Sequence, residues 1–458
     1  MTSLAQRFAA YACKLRYEDL PQPVIHETKR RFIDSFATAV GAMGSDAFAI
    51  ARKCAGRFSS QPHISMLGGG HSSVEWATFV NGLLIRYLDY NDTYLSLEPA
   101  HPSDNLAAVL SIGEMVGAPG RDLITAAVLA YEIQCRLCDA ASLRKHGIDH
   151  VTYGAISSCL AACKLLKMDE VRMTHGVGIA GVCNAALRQT RAGEMSMWKG
   201  CAFANAARNG VFAAILASEG LTGPAPIFEG DLGFMKLLTR ETFTVAPMGG
   251  EQKKAERAEE FMLPITYIKF WPVEYHAQSA VDAALQLRPQ VGDWRQIETI
   301  DIHSFDAAVD IIGKDPEKWH PKTRETADHS MPYCVAAAFI DGDVTMASFD
   351  DAHLGNAELI TLTNKVRMHR DAACNAGYPQ GIPNRLTVTL RDGRKVVKEV
   401  AYPRGHSGNP MTDAELEDKF RRMVEPVYGA NRVKEMLAGL WNLDHQQSVT
   451  TMMKWFDR

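Results

Sequence analysis

GCAFANAARNGVFAAILASEGLTG, residues 200–223, carries alanine and glycine on all sides instead of along one stripe. A helix built this way buries itself among other helices, because small side chains let neighbouring backbones come close. The same texture recurs upstream in NLAAVLSIGEMVG (105–117), LITAAVLAYEIQCRLCDAA (123–141) and MDEVRMTHGVGIAGVCNAAL (168–187). Asp122 stands where it would cap the second of these, and Gly117 ends the first. PQPVIHETKRRFIDSFATAV (21–40) is more amphipathic, with Ile25, Phe32, Phe36 and Val40 on one face and the ETKRR segment partly off it. From about residue 20 to 265 the pattern predicts a large all-α domain.

After Pro272 the texture changes. HAQSAVDAALQLRPQV (276–291) is still helical, but QIETIDIHSF (296–305) alternates as a strand. VTMASFDD (344–351) and RLTVTLRDGRKVVKEV (385–400) add β signal, the latter a hairpin around Asp392-Gly393, a dipeptide that tolerates a type I′ turn. TDAELEDKFRRMVEPVYGANRVKEMLAGLWNL (412–443) returns to helix and is expected to pack back on the first domain. The expectation is a mainly α protein: an all-α domain over 1–268 and 403–458, and an inserted α+β domain over 269–402.

Composition limits function. Of 458 residues, 47% are hydrophobic and 22% charged, and the net charge of −4 offers no field for nucleic acid or an anionic membrane. The first twenty residues read as a short amphipathic helix without a signal-peptide core, and no stretch has the length and apolarity of a membrane span. The ten cysteines fall mostly in apolar helical settings, as in a reduced, cytoplasmic protein. Cys135 and Cys138 form a C-x-x-C but lack a second ligand pair, so they read as two thiols on one helix. The glycines of GVGIAGVC (176–183) fall as G-x-G-x-x-G on a helix-like segment, not after a strand, which argues against a dinucleotide site.

What remains are polar clusters at the edges of apolar segments. RYLDYNDTYLSLEPAHPSDN (86–105) sets acids, amides, tyrosines and His101 directly after an apolar helix. Ser103 or Asp104 could cap the helix that follows, which accounts for one or two polar residues of the set. Pro102 restricts the backbone of His101 and fixes the direction of its imidazole. His150, in RKHGIDHVTYGAIS (144–157), opens a small-residue helix where an imidazole can exchange protons near neutral pH. Lys199 opens the helix quoted above, where the helix dipole disfavours a cation, so an anionic partner is expected. Lys269 and His276 flank an aromatic-proline turn at the expected domain boundary. His329, Ser330 and Tyr333 lead into a buried helix. Histidines and lysines gathered without a metal motif suit proton transfer beside substrate carboxylates, which covers elimination, isomerisation and decarboxylation.

These stretches, together with RRFIDSFATAVGA, MWKG, GLTGPAPIFEGDLGF and YPRGHSGNPMTDAELEDKF, resemble the MmgE/PrpD family of 2-methylcitrate dehydratases, cis-aconitate decarboxylases and iminodisuccinate epimerases. The resemblance implies an all-α domain with an α+β lid, a homodimer, and no metal or other cofactor. It implies catalytic roles for Asp89, Thr93, His101, His150 and Lys199. Asn105, Lys269, His276, His329 and Tyr333 would bind substrate, with Glu274 beside His276 competing for the pocket. HPSDN and ADHSMPY resemble the dehydratase branch. The expected reaction is therefore dehydration of 2-methylcitrate, citrate or a similar polycarboxylate to its cis-alkene. Epimerisation of an amino- or imino-dicarboxylate and cis-aconitate-type decarboxylation are the alternatives.

Overall fold

The computed structural model describes residues 2–58, 61–192, 195–251 and 260–456. The chain divides into two compact units, Met1–Thr266 with Thr412–Arg458, and Tyr267–Met411. Helices of ten or more residues are numbered here in chain order.

The first unit is helical. It holds α1 (Leu4–Lys14), α2 (Gln22–Gly41), α3 (Asp46–Ala55), a two-residue hairpin of β1 (Ile64–Ser65) and β2 (His71–Ser72), and α4 (Val74–Tyr87). Then come α5 (Leu106–Met115), α6 (Gly120–Ala140), α7 (Val151–Leu165), α8 (Glu170–Val182) and α9 (Trp198–Ser218). On α2, Ile25, Phe32, Phe36 and Val40 are all buried, as the amphipathic pattern requires. Small residues set the packing of α9: a Cβ on Gly210 would lie 2.6 Å from the Ala155 carbonyl of α7. The G-x-G-x-x-G run lies inside α8, where a Cβ on Gly178 would meet the Pro224 carbonyl at 2.6 Å. Gly178 and Gly181 seat the helix against the 220–234 loop, while Gly176 faces Cys159 and Cys163 of α7.

Two capping expectations are corrected. α6 begins at Gly120 behind Pro119, which leaves Asp122 inside the first turn. The segment around Leu443 presses on Gly120, whose N–H donates to the Gln446 carbonyl at 2.9 Å, and this fixes the earlier start. Neither Ser103 nor Asp104 caps α5. A 3₁₀ turn, Pro102–Asn105, leads into that helix, and the Ser103 hydroxyl and Asp104 carboxyl instead accept from the Asn91 amide.

The second unit contains α10 (Gln278–Val291), β3 (Ile297–Ser304), α11 (Met331–Asp341), β4 (Val366–Arg370), β5 (Asn384–Leu390) and β6 (Lys395–Val400). The strands form one sheet in the order β4-β3-β5-β6, with β3 parallel to β4 and the other pairs antiparallel. Leu386, Val388 and Leu390 alternate inward on β5, so register follows the apolar face. The β5–β6 hairpin is confirmed, but its turn differs from the type I′ expectation. Only Gly393 has positive φ (86°), and the Leu390 N–H donates to the Arg394 carbonyl at 2.8 Å, the pattern of a type I turn closed by a glycine bulge. VTMASFDD forms no strand: Met346–Phe349 is a 3₁₀ turn and Asp351–Leu354 a short helix. Thr345 with Ser348, and then Asp350, cap these two elements, and such caps outweigh β propensity.

The chain returns to the first unit with α12 (Asp413–Tyr428) and α13 (Ala430–Trp441). No helix of the described residues is long and apolar enough to cross a membrane.

Candidate active site

The loop after α4 is held by its own polar residues. Tyr94 and Ala100 pair through two backbone hydrogen bonds of 2.9 Å, which close the loop. Asp92 accepts from the Ser103 N–H at 3.0 Å and the Tyr131 hydroxyl at 2.6 Å, while Asn91 donates to Ser103 and Asp104. All of these groups are buried, and the loop together with Tyr131 of α6 supplies partners for most of their polar atoms. Burial also pushes the Asp104 carboxyl up to about 8, against the opposing pull of Arg86. Asn105, expected to bind substrate, is the centre of a structural knot in this fold. Its amide donates to the Pro102 carbonyl and Gln134, and its oxygen accepts from Ser157 and Ser158 at 2.8 and 2.7 Å, which uses its full capacity.

The remaining polar groups of the loop meet residues from three helix ends. Asp89 sits in the left-handed region (φ 51°), a conformation aspartate tolerates better than most residues. Its carboxylate accepts from Arg86 Nη1 at 2.5 Å and from Lys199 Nζ at 3.0 Å. Lys199 does have an anion at the start of α9, and in this structure that anion is Asp89. Arg86 Nη2 approaches His101 Nε2 at 3.0 Å, Thr93 Oγ1 is 3.3 Å from His101 Nδ1, and the His101 and His150 rings are centred 5.9 Å apart. Asp89, Thr93, His101, His150 and Lys199 are thus brought into one cluster.

Hydrogen bonding fixes both imidazoles. Arginine only donates, so His101 Nε2 must present its lone pair to Arg86, and Nδ1–H donates to the Asp92 carbonyl at 2.7 Å. His150 Nδ1 lies 3.0 Å from Asp149 Oδ1. Burial would raise the Asp149 carboxyl, but Arg191, donating to its other oxygen at 2.8 Å, and His150 hold it far below the carboxylate range. An ionised Asp149 only accepts, so His150 carries its proton on Nδ1 and a lone pair on Nε2. Burial, with Arg191 nearby, lowers the pKa of His150 below the ordinary 6.5 and keeps the ring neutral at neutral pH. Its Nε2 is buried without a hydrogen-bond partner. A neutral imidazole oriented by a carboxylate, with its second nitrogen bare, is equipped to take a proton.

The second unit carries its own polar cluster. Glu274 accepts from His276 through the backbone N–H and Nδ1, both at 2.8 Å. Against the cost of burial, His276, His329 and Lys269 hold the Glu274 carboxyl at about 2. His276 Nε2 reaches the Tyr378 hydroxyl at 3.4 Å, His329 Nδ1 pairs closely with Asp328, and Lys269 is 1% exposed. His276 and Glu274 therefore work as one pair. Tyr333 stands apart: its hydroxyl donates to the Ser348 carbonyl at 2.7 Å, a structural bond inside this unit. Among the described residues no three histidine, cysteine, aspartate or glutamate side chains gather as a metal-holding group. Cys135 and Cys138 are fully buried, and burial raises both thiols well above their ordinary range.

Comparison with known families decides the lineage. Residues 6–245 match the MmgE/PrpD N-terminal domain, and residues 271–443 match the MmgE/PrpD C-terminal domain. The chain belongs to the MmgE/PrpD family. Similar relatives include a 2-methylcitrate dehydratase of Cupriavidus necator, 30% identical over 79% of this chain and 77% of the relative. One of Escherichia coli K12 is 28% identical over 75% of this chain and 74% of its own. A fungal alkylcitrate dehydratase is 32% identical over 77% and 73%. Within this MmgE/PrpD chain the sequence reading missed Arg86, Asp149 and Arg191. Arg86 was visible as a lone cation ending an apolar helix, and Asp149 as the neighbour of His150; nothing in the sequence marked Arg191.

Proposed function

We propose that this protein is a hydro-lyase that removes water from 2-methylcitrate, citrate or a closely similar hydroxy-polycarboxylate, giving the cis-alkene. The observation that carries the reading is the Asp149–His150 pair with its bare, buried Nε2, set 5.9 Å from His101 and beside cations. The dehydratase names of the relatives support the same reading. His150 takes the proton from the carbon next to a carboxylate. Lys199 neutralises a substrate carboxylate, which acidifies that C–H bond. His101 delivers a proton to the departing hydroxyl, with Asp89 and Thr93 orienting it.

The imidazoles, in this reading, do the proton transfers without a metal ion. The test is a panel of citrate, 2-methylcitrate, cis-aconitate and iminodisuccinate, followed by ultraviolet absorbance of the conjugated alkene before and after exhaustive chelation. Absorbance that grows at the same rate after chelation supports the reading; loss of activity restored by a divalent cation contradicts its metal-free part. His101→Ala should lower turnover at least about a hundredfold in a folded variant.

The lone pairs on both histidines also suit an epimerase with two opposed bases. That activity would place solvent deuterium in recovered substrate without any new ultraviolet absorbance. We further read the protein as a homodimer on the family likeness, and as cytoplasmic, which its ten free cysteines support.

A further inference from the structure

His101 presents its working nitrogen to a group that can never accept a proton. Arg86 Nη2 holds His101 Nε2 at 3.0 Å, and the same guanidinium binds Asp89 Oδ1 at 2.5 Å and lies 3.7 Å from Asp104 Oδ2. The other ring nitrogen is occupied by the Asp92 carbonyl at 2.7 Å, with Thr93 Oγ1 at 3.3 Å. In this arrangement His101 can neither give nor receive a proton at Nε2. A proton placed there would face the permanent charge of Arg86 at hydrogen-bond distance. A group assigned to protonate a leaving hydroxyl is thus blocked by Arg86 in this arrangement.

We propose that Arg86 masks His101 in the resting enzyme, and that a substrate carboxylate releases it by drawing the guanidinium away. The inference rests on the polycarboxylate reading above. A carboxylate is a planar two-oxygen acceptor that matches the guanidinium fork, whereas an imidazole nitrogen offers a single lone pair. Asp89 keeps hold of Arg86 from the other side, so the guanidinium needs only to pivot. Once uncovered, His101 Nε2 takes a proton from solvent, favoured by the incoming negative charge. During elimination the C–H proton goes to His150 Nε2, its electron pair forms the C=C bond, and the C–O pair leaves with the hydroxyl, which takes the His101 proton as water. His150 then returns its proton to solvent, so each cycle takes up one proton and releases one. Arg86 is a positioning residue for His101 that becomes a substrate contact.

Among the described residues, the charged and titratable groups of this unit around His101 include Arg86 on α4, Asp89 at 3.9 Å, Asp92 behind the carbonyl that meets Nδ1, Asp104 through Arg86, Lys199 of α9 through Asp89, and His150 at the start of α7. Lys199 is retained in every arm of the test, so the change read out belongs to Arg86.

Side-chain ¹⁵N NMR of histidine-labelled protein, with His101 assigned by a His101→Asn variant, tests the proposal. The ligand probe is propane-1,2,3-tricarboxylate, which lacks the hydroxyl and cannot be dehydrated. In ligand-free wild type, His101 Nε2 should read as unprotonated, and its titration midpoint should lie below that of Arg86→Gln by about one unit. Saturation with the tricarboxylate should raise the wild-type midpoint by clearly more than the variant's, because only in wild type does it also draw a cation off Nε2, and Arg86→Lys should not restore the wild-type response. Equal midpoints in ligand-free wild type and Arg86→Gln, or no wild-type response to the tricarboxylate, would overturn the masking. Should Arg86→Gln fail to fold, the wild-type response alone decides. A full NMR response in a protein that dehydrates no member of the substrate panel would instead sink the functional reading and leave the masking intact.

Discussion

At the scale of single residues, the proposed chemistry turns on which nitrogen of each histidine holds the hydrogen. Asp149 fixes the proton of His150 on Nδ1, and Arg191 keeps Asp149 ionised from its other side. Asp149→Asn removes that preference. It should lower kcat by about 10² to 10⁴ while changing KM little, as expected when a base is held in the wrong tautomer; steady-state kinetics check the split. The pKa of His150 is lowered, so its neutral form persists to more acid pH than that of an ordinary histidine. The acid limb of kcat/KM should therefore fall below about 6.5. Arg191→Gln removes a charge that pushes the pKa down, so the limb should move upward in the pH profile. His150 drew notice in the sequence as a histidine opening a small-residue helix, but the family resemblance, not that setting, suggested its catalytic role. The Asp149 contact was not legible, since adjacency along the chain does not say which carboxylate faces the ring. Arg191 lies 42 positions from Asp149, and only the fold joins them.

At the scale of elements, the 88–105 loop shows how a polar cluster divides its labour. Sequence reading recognised that eight polar residues exceeded what a helix cap needs, but it could not sort scaffold from site. Asn105 illustrates the difference: four internal hydrogen bonds lock α5, α6 and α7 together around it. Asn105→Ala would strip the Ser158 hydroxyl and the Gln134 oxygen of this partner in a dry interior, while Ser157 keeps the Gly154 carbonyl at 3.1 Å. It should destabilise the protein by about 2 kcal/mol or more, seen as a lowered thermal midpoint, while substrate affinity of the folded fraction stays near wild type. A fall in affinity without a fall in stability would return Asn105 to the substrate. The all-round small-residue texture of α9 was a sound guide because backbones do touch there, with Gly210 against the Ala155 carbonyl. VTMASFDD misled for the opposite reason. Its β-favouring residues are few, and Thr345, Ser348 and Asp350 satisfy the local backbone as caps.

At the scale of the whole molecule, the chain leaves its helical unit and returns to it. On α12, Lys419 pairs with Asp34 of α2 at 2.6 Å and donates to the Tyr90 carbonyl at 2.9 Å, one residue beyond Asp89. Lys419→Met would leave the Asp34 carboxylate buried beside an apolar chain. It should cost on the order of 3 kcal/mol, read as a shifted denaturation midpoint. The helical returning segment was legible from its periodicity, but the buried pair was not, because a lysine on an amphipathic helix is ordinarily solvated. In the second unit Glu274 has a folded pKa of about 2 against an ordinary 4.5. Its stabilising contribution is complete above 4.5 and is lost as pH falls toward 2. Glu274→Gln should therefore flatten that part of the stability profile. The proposed active site is centred on His150, and the rate of alkene formation by His150→Ala tests that assignment most directly. With citrate and 2-methylcitrate as substrates, and circular dichroism matching wild type, turnover should fall at least about a hundredfold. A folded variant that forms the alkene at near wild-type rate would contradict the account.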